Sequence, residues 1–312
     1  MADRVTCATR VVVIVPAYGL AHLLGETLAS LQAQHFRNWE AVVVDDGAPD
    51  DVAAAFAPFA DDRRFHLLRT DNGGLATARN RAISASGAPF IALLDGDDLY
   101  EPGYLDRMLA TIETDAGLGF VSCDAMMFGD RRFAGRRYSD RYPMAGAVTL
   151  ERVLSRDVAV LVASVIRRSA FEAVGGFDGV LRSAEDLDLW IRLLSAGWRG
   201  AILPEVLVRY RRRPGSLSTQ AKGMLSASVQ VYEKAAASLA GRPEAEIAGR
   251  LLARHRQHLG WIEGQEAVLR GDVSLGLRQL AGAEQRSFRW RLALSVMRRA
   301  PWSAGFLMRL RG

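Results

Sequence analysis

Cysteine and long apolar runs are scarce in this chain of 312 residues. The only cysteines are Cys7 and Cys123, and two thiols do not make a disulfide framework, so a reducing cytoplasm is the expected compartment. The sequence has no run of about 18 apolar residues, and Met1–Arg10 lacks the apolar stretch of a signal peptide. These absences argue against a membrane-spanning protein and against a secreted, disulfide-stapled domain.

Acidic residues are outnumbered, since the net charge is +5 and the pI is near 9.5. A basic balance favours anionic partners, which include phosphorylated substrates, anionic lipid and nucleic acid. No Gly-x-Gly-x-x-Gly segment follows the first apolar run, and a nucleotide-binding oxidoreductase therefore lacks its best sequence feature here.

What the chain does contain is an apolar run, Phe90–Leu94, that ends in three carboxylates at Asp95, Asp97 and Asp98. A buried strand of an α/β sheet has this pattern, and such sheets bind ligands at the C-terminal ends of their strands. Crowded carboxylates repel one another unless a cation lies among them, and Mg²⁺ or Mn²⁺ shares oxygen ligands with substrate phosphates. The alternative is a polar Asp-Gly turn. A nucleic-acid binder would explain the charge but not this cluster, so we expect no nucleic-acid partner.

Short apolar runs alternate with helical patterns over about the first 125 residues. The predicted strands are Val11–Val15, Ala41–Val44, Phe65–Leu68 and Phe90–Leu94, and Leu75–Ser86 is a predicted helix. This alternation indicates βαβ units and a parallel sheet, whose right-handed crossovers bring the C-terminal ends of the strands to one edge. The residues expected to converge there are Tyr18, Asp45, Asp46, Asn72 and Asp95–Asp98.

Six ordered motifs carry a resemblance to a known family. They are Val13–Tyr18, Asp45–Gly47, Asn72–Asn80, Asp95–Asp98, Val174–Asp178 and Glu185–Trp190. Together they resemble the family 2 glycosyltransferases of the GT-A fold over about residues 10–218. The resemblance implies an α/β, Rossmann-like, mostly parallel sheet flanked by helices in a domain over residues 1–218. The helical pattern from Met224 onward adds a C-terminal extension over 219–312.

The resemblance also implies a donor site for a nucleotide-diphospho-sugar. Its residues would be Pro16, Ala17, Tyr18, Asp45, Asp46, Asn72, Gly73, Arg79, Asp95, Gly96 and Asp97. Tyr18 would stack on the base and Asp46 would read it, while Asp97, with Asp95, would coordinate Mn²⁺ or Mg²⁺ at the diphosphate. The alternatives are a half-buried aromatic for Tyr18, an Asx turn for Asp46 and an internal ion pair for Arg79.

The acceptor-side carboxylates have two interpretations. The spacing of Ser183 and Asp186 matches a helix capping box. The resemblance instead makes Asp186 the general base, with Glu185 as second choice. Trp190 would stack on a sugar ring or pack in the core. The basic stretch Tyr210–Ser216 resembles a loop that closes over the donor in some relatives, and otherwise is a solvated loop.

These features predict an inverting, metal-dependent glycosyltransferase that moves a sugar, preferably from a UDP-sugar, to a glycan or a lipid-linked polysaccharide precursor. The alternative is a non-catalytic module that binds a nucleotide sugar or glycan. Gly19 and Ala48 depart from the family pattern, which commonly has asparagine and serine there, and they weaken any inference about the donor.

The final segment, Arg286–Gly312, holds seven arginines and no acid, with interleaved aromatic residues. A basic, aromatic helix suits peripheral contact with an anionic membrane surface, here the inner face. The alternative is a helix that packs its apolar side on the catalytic domain and leaves its arginines in solvent.

Overall fold

The computed structural model describes residues 9–216, 220–281 and 288–305. The chain divides into two compact units, Met1–Ser216 and Leu217–Gly312. Seven helices and eight strands are described in the first unit and four helices in the second. No helix among the described residues is long and apolar enough to cross a membrane.

The first unit is a mixed eight-stranded sheet with helices packed against it. Its strands are β1 (Val11–Pro16), β2 (Trp39–Asp46), β3 (Phe65–Thr70), β4 (Phe90–Leu93), β5 (Leu99–Tyr100), β6 (Leu118–Phe128), β7 (Val165–Arg167) and β8 (Arg199–Arg211). Their order across the sheet is β3-β2-β1-β4-β7-β6-β8-β5. The pairs β1–β2, β1–β4, β2–β3 and β6–β8 are parallel, whereas β7 and β5 run antiparallel to their neighbours.

The helices of this unit follow from apolar spacing at helical period. They are α1 (Ala21–Gln32), α2 (Val52–Phe56), α3 (Leu75–Ser84), α4 (Tyr104–Glu113), α5 (Leu150–Ser155), α6 (Arg168–Ala173) and α7 (Glu185–Ser195). In α1 the residues Leu24, Leu28 and Leu31 recur every three or four positions and are fully buried. They join the core cluster on β1, whose residues Val11–Val15 are also fully buried, and each such side chain contributes roughly 1.5–3 kcal/mol.

Backbone hydrogen bonds tie together the C-terminal ends of the first, second and fourth strands. Ala17 donates its N–H to the Val44 carbonyl at 3.0 Å, and Leu94 donates to Ile14 at 3.1 Å. Gly96 lies so close to β1 that an added Cβ would come 2.6 Å from the Pro16 carbonyl oxygen. Only glycine fits at this position without moving the backbone, so the carboxylates after β4 are held directly beside the end of β1.

The second unit consists of α8 (Ala221–Ser238), α9 (Glu244–Arg270), α10 (Val273–Ala281) and α11 (Phe288–Arg299). The helices α9 and α10 approach closely, since an added Cβ on Gly276 would lie 2.7 Å from the Gly264 carbonyl oxygen. A small apolar cluster joins α9, α10 and α11, and it includes Trp261, Leu280 and Met297. The helical prediction for this part of the chain agrees with the structure.

Candidate functional site

The carboxylate of Asp46, at the end of β2, anchors the loop that follows β3. Its two oxygens accept the Thr70 hydroxyl at 3.0 Å and the backbone N–H groups of Gly73 and Gly74 at 2.9–3.1 Å. Gly74 has φ of +84°, which glycine adopts most readily. Asp46 therefore brings Asn72 and Gly73 to the sheet edge, as the sequence predicted for these three residues. That Asp46 hydrogen-bonds the base of a nucleotide stays a prediction.

The neighbouring Asp45 closes the turn after β2. Its Oδ1 accepts the N–H of Ala48 at 3.0 Å, and its Oδ2 accepts Nε of Arg69 at 3.2 Å. The side chain that bonds the turn backbone is thus Asp45, while Asp46 reaches the next loop.

Tyr18 lies at the end of β1, directly after Pro16 and Ala17, which are buried. Tyr18 is 52% exposed, so the stacking role and the alternative of a half-buried aromatic both stay predictions. The exposed ring is available to stack on a planar ligand at this edge.

Arg79 occupies the centre of the site and is 1% exposed. Its Nη1 pairs with Glu185 and its Nη2 with Asp95, so one guanidinium joins the donor-side and acceptor-side motifs. Burial acts to lower the pKa of Arg79, but Asp95 and Glu185 outweigh burial and raise that pKa above its usual range. The structure therefore places Arg79 in an internal ion-pair bridge, the alternative to direct lining of the donor site.

The three carboxylates after β4 all contact arginines. Beyond the Arg79–Asp95 pair, Nε of Arg213 donates to Oδ2 of Asp97 at 2.7 Å, and the backbone N–H of Arg211 donates to Oδ1 of Asp98 at 2.7 Å. The basic stretch that ends β8 thus lies against this cluster, and it is not a freely solvated loop.

Crowding and burial still disfavour the charged carboxylates. Burial, and then Asp95, raise the pKa of Asp97, whereas Arg213 lowers it. Burial, followed by Asp97 and Asp95, raises the pKa of Asp98 well above its usual value. The predicted mutual repulsion is therefore present, and arginines offset part of it.

The same carboxylates are suited to a metal that shares its ligands with a substrate. No group of three or more His, Cys, Asp or Glu side chains in the described ranges is arranged to hold a metal ion. Mg²⁺ and Mn²⁺ commonly bind through one or two carboxylates and complete their shell with phosphate oxygens and water. Asp95 and Asp97 fit that second arrangement.

The acceptor-side carboxylates begin α7. The N-cap of this helix is Ala184, which has φ of +56°, and no side chain caps it. The alternative of a capping box with Ser183 is therefore not observed, because the left-handed Ala184 takes the cap position one residue later. Asp186 instead accepts the N–H of Leu187 within the first turn of the helix.

Glu185 and Asp186 differ in their surroundings. Glu185 is buried and pairs with Arg79. Asp186 is half-buried, and within the described residues its Oδ1 accepts the adjacent Leu187 N–H at 2.8 Å. Burial raises the pKa of Asp186, while the Leu187 N–H, Arg79 and Arg156 lower it. A carboxylate with a raised pKa is a better proton acceptor at neutral pH.

Two side chains near this region, Tyr138 and Tyr142, were not singled out from the sequence, whereas Tyr210 begins the predicted basic stretch. Tyr138 packs its ring 4.5 Å from that of Tyr142 and 5.7 Å from that of Tyr210. Burial raises the pKa of Tyr138, and Asp186 adds to the rise, which places Tyr138 within electrostatic reach of that carboxylate. No sequence signal indicates this proximity, because it depends on how the segment between β6 and α5 folds back.

Trp190 is buried against Phe120, with ring centroids 4.6 Å apart, so its core interpretation is confirmed.

Comparisons with known proteins agree with the fold and the motifs. The family model described as Glycosyl transferase family 2 matches residues 12–175. The succinoglycan biosynthesis protein ExoU of Rhizobium meliloti is 31% identical over 267 residues, which are 80% of this chain and 75% of ExoU. EpsE of Bacillus subtilis is 28% identical over 207 residues, which are 65% of this chain and 73% of EpsE.

Two solved structures share the fold. TarS of S. aureus, in complex with UDP-GlcNAc, has a TM-score of 0.66 at 21% identity and covers 87% of this chain and 79% of its own. The mannosyltransferase PcManGT from Pyrobaculum calidifontis, in complex with GDP-Man and Mn²⁺, has a TM-score of 0.61 at 21% identity. The match covers 98% of this chain and 83% of PcManGT. At these identities the likeness confirms the predicted fold class.

The substitution Arg79→Met tests the buried bridge. Removing the cation leaves the buried Glu185 and the half-buried Asp95 uncompensated, which costs about 3–5 kcal/mol of unfolding free energy. Without Arg79 the pKa of Glu185 rises further above its unfolded value, so the folded variant binds more protons than the unfolded chain and loses stability as pH rises. We expect the loss of unfolding free energy relative to the native chain, measured by urea denaturation, to be larger at pH 8 than at pH 5.

The control is Arg64→Met, which removes a partly exposed pair with Asp62 and should cost about 1 kcal/mol or less. Equal losses for the two variants, or a deficit at Arg79 that does not depend on pH, would contradict the bridge.

Proposed function

Because the chain belongs to glycosyl transferase family 2, we propose that it transfers a sugar from a nucleotide-diphospho-sugar to an acceptor hydroxyl with inversion at the anomeric carbon. The observation that carries this proposal is the Arg79 bridge. It sets the donor-side Asp95 and the acceptor-side Glu185 on one guanidinium, and Asp186 follows Glu185 directly. In this proposal the donor-side Asp95 and the acceptor-side Asp186, which have different environments, would face one reaction centre.

The donor side would hold the nucleotide with the residues gathered around β1, β2 and the loop after β3. Tyr18 would stack on the base, and Pro16, Ala17, Asn72 and Gly73 would line the site. The structural neighbours in complex with UDP-GlcNAc and with GDP-Man support a nucleotide-sugar donor. We favour a UDP-sugar, and donors of the hexosyl or N-acetylhexosaminyl class.

Asp97 and Asp95 would hold Mn²⁺ or Mg²⁺, a proposal that the Mn²⁺ in the PcManGT complex supports. A divalent ion bound there would neutralise charge on the departing nucleoside diphosphate. Arg211 and Arg213 already lie against this cluster, and their guanidinium groups can donate to phosphate oxygens.

Asp186 would accept the proton of the acceptor hydroxyl as that oxygen attacks the anomeric carbon. Within the described residues Asp186 accepts a hydrogen bond from the adjacent Leu187 N–H, and burial raises its pKa, whereas Glu185 is committed to Arg79. The hydroxyl oxygen forms the new glycosidic bond, the bond to the diphosphate breaks, and its electron pair leaves with the diphosphate. No covalent sugar–enzyme intermediate is needed.

The acceptor would be a glycan or a lipid-linked polysaccharide precursor. The aromatic group of Tyr138, Tyr142 and Tyr210 lies near Asp186, and aromatic faces suit sugar rings. The role of ExoU in succinoglycan biosynthesis supports an acceptor of this kind. A non-catalytic module on the same fold is the other candidate, and the intact Asp95, Asp97 and Asp186 argue against it.

The second unit would contact a membrane surface peripherally, at the inner face. Leu292 and Val296 lie four residues apart on α11, on one side of the helix, and are 57% and 43% exposed. Trp302 is 88% exposed, and Arg298 and Arg299 close the helix. The opposite side of α11 packs within its own unit through Met297, so the helix presents a second apolar surface next to positive charge. Residues 286–287 and 306–312 of the predicted basic segment lie outside the described residues.

A nucleotide panel tests the donor site. We expect one of UDP, GDP, dTDP and CMP, most readily UDP, to bind tightly only with Mn²⁺ in isothermal titration calorimetry. Asp97→Ala should abolish the Mn²⁺-dependent binding, because the variant loses the proposed metal ligand, whereas Asp61→Ala removes an exposed carboxylate and should bind normally. Binding of none of the four would favour the non-catalytic module.

The substitution Asp186→Asn tests the proposed base. The amide keeps the shape of the side chain but cannot accept the proton, so transfer should fall by about 10²–10⁴-fold while donor binding is retained. The readouts are donor affinity and sugar transfer to a glycan acceptor. Normal turnover in this variant would show that another residue is the general base, and Glu185→Gln would be the next variant to measure.

Vesicle flotation tests the membrane surface. The native chain should float with anionic phosphatidylglycerol vesicles and not with phosphatidylcholine vesicles, and high salt should release it. Changing Leu292, Val296 and Trp302 to Gln should weaken binding by about tenfold or more. The matched control is Leu269→Gln, which alters a 47% exposed leucine on α9. Equal flotation of all variants would exclude this surface.

A further inference from the structure

Arg213 pairs with one carboxylate oxygen of Asp97, the proposed metal ligand. Its Nε donates to Oδ2 of Asp97 at 2.7 Å, and the two side chains are 28% and 13% exposed. The pair is therefore well shielded but open enough for exchange with a solute cation.

The contacts of Arg211 are different and show which arginine is anchored. Its backbone N–H bonds Asp98, its Nε bonds the Asp97 carbonyl at 2.7 Å, and its Nη2 pairs with Glu26 at 2.9 Å. Within the described residues Arg213 has the single ion pair with Asp97. Breaking that one pair would free Arg213 while Arg211 keeps the end of β8 in place.

We propose that Arg213 is the resident counter-ion of Asp97, and that a divalent cation reaches Asp97 only by displacing it. The inference rests on the proposed function, in which Asp97 is a metal ligand. A guanidinium and a divalent ion a few ångströms apart repel each other in a shielded site, so the arginine weakens metal binding to this carboxylate. The arginine therefore offsets carboxylate repulsion before the donor arrives and makes metal binding weak on its own.

The displaced arginine stays in the site, because Arg211 anchors the chain two residues earlier. A diphosphate brought in with the metal offers Arg213 a new set of oxygens in place of the lost one. Arg213 is thus a positioning residue that couples metal binding to nucleotide binding: the metal alone competes with it, and the metal with a nucleotide does not.

The test is Mn²⁺ binding to the full chain, measured by electron paramagnetic resonance of free Mn²⁺ with and without UDP. In Arg213→Gln we expect Mn²⁺ alone to bind about three- to tenfold more tightly, because the competing ion pair is gone. With UDP present we expect the Mn²⁺-dependent affinity for the nucleotide to fall. Opposite changes in the two affinities distinguish displacement from simple damage to the site, which would weaken both.

Two matched variants control for charge. Arg212→Gln removes the same charge from the adjacent position, where the guanidinium lies over the Phe133 ring at 5.2 Å, and should leave Mn²⁺ affinity near the native value. Arg213→Lys keeps the charge and should restore most of the competition.

The outcomes separate this inference from the proposed function. Unchanged or weaker binding of Mn²⁺ alone to Arg213→Gln overturns the displacement of Arg213, while Mn²⁺-dependent UDP binding by the native chain leaves the donor site standing. Failure of the native chain to bind any nucleotide with Mn²⁺ overturns both.

Discussion

The site depends on one buried ion-pair bridge, in which Arg79 contacts Asp95 after β4 and Glu185 at the start of α7. A fully buried guanidinium is tolerated only when carboxylates compensate it, so each member of this bridge requires the others. The next residue of α3 adds a second link, since the side-chain amide of Asn80 exchanges two hydrogen bonds with the backbone of Phe177. One turn of α3 therefore aligns the donor-side and acceptor-side motifs.

The sequence predicted the first half of the sheet closely, because β1 to β4 are buried apolar runs whose ends carry turn and carboxylate signals. Predicted Val11–Val15 corresponds to β1, Val11–Pro16, and predicted Phe90–Leu94 to β4, Phe90–Leu93. Strand β8 was not predicted. Its sequence contains Pro204 and charged residues and lacks clean alternation, and pairing with β6, not local pattern, makes it a strand.

The side-chain pairings of the site were beyond the reach of sequence pattern for a related reason. Arg79 and Glu185 are 106 residues apart, and the capping-box spacing at Ser183 was the stronger local signal. The left-handed Ala184 overrides that signal, because it turns the chain so that Glu185 meets Arg79 in the interior. Likewise, the basic stretch after Tyr210 shows only charge in the sequence, whereas the fold brings Arg211 and Arg213 onto the carboxylates after β4.

In the proposed mechanism the adjacent carboxylates at the start of α7 take separate roles, because one of them is paired with an arginine. Were Glu185 charged and unpaired, it would raise the pKa of Asp186 further, and a carboxylate that is already protonated at neutral pH cannot accept a proton. Arg79 pairs with Glu185 and also lowers the pKa of Asp186 from a longer distance. Burial and the Leu187 N–H act more strongly on the pKa of Asp186 than Arg79 does. In the proposed mechanism the same arginine would therefore stabilise this edge of the sheet and contribute to the basicity of the proposed base.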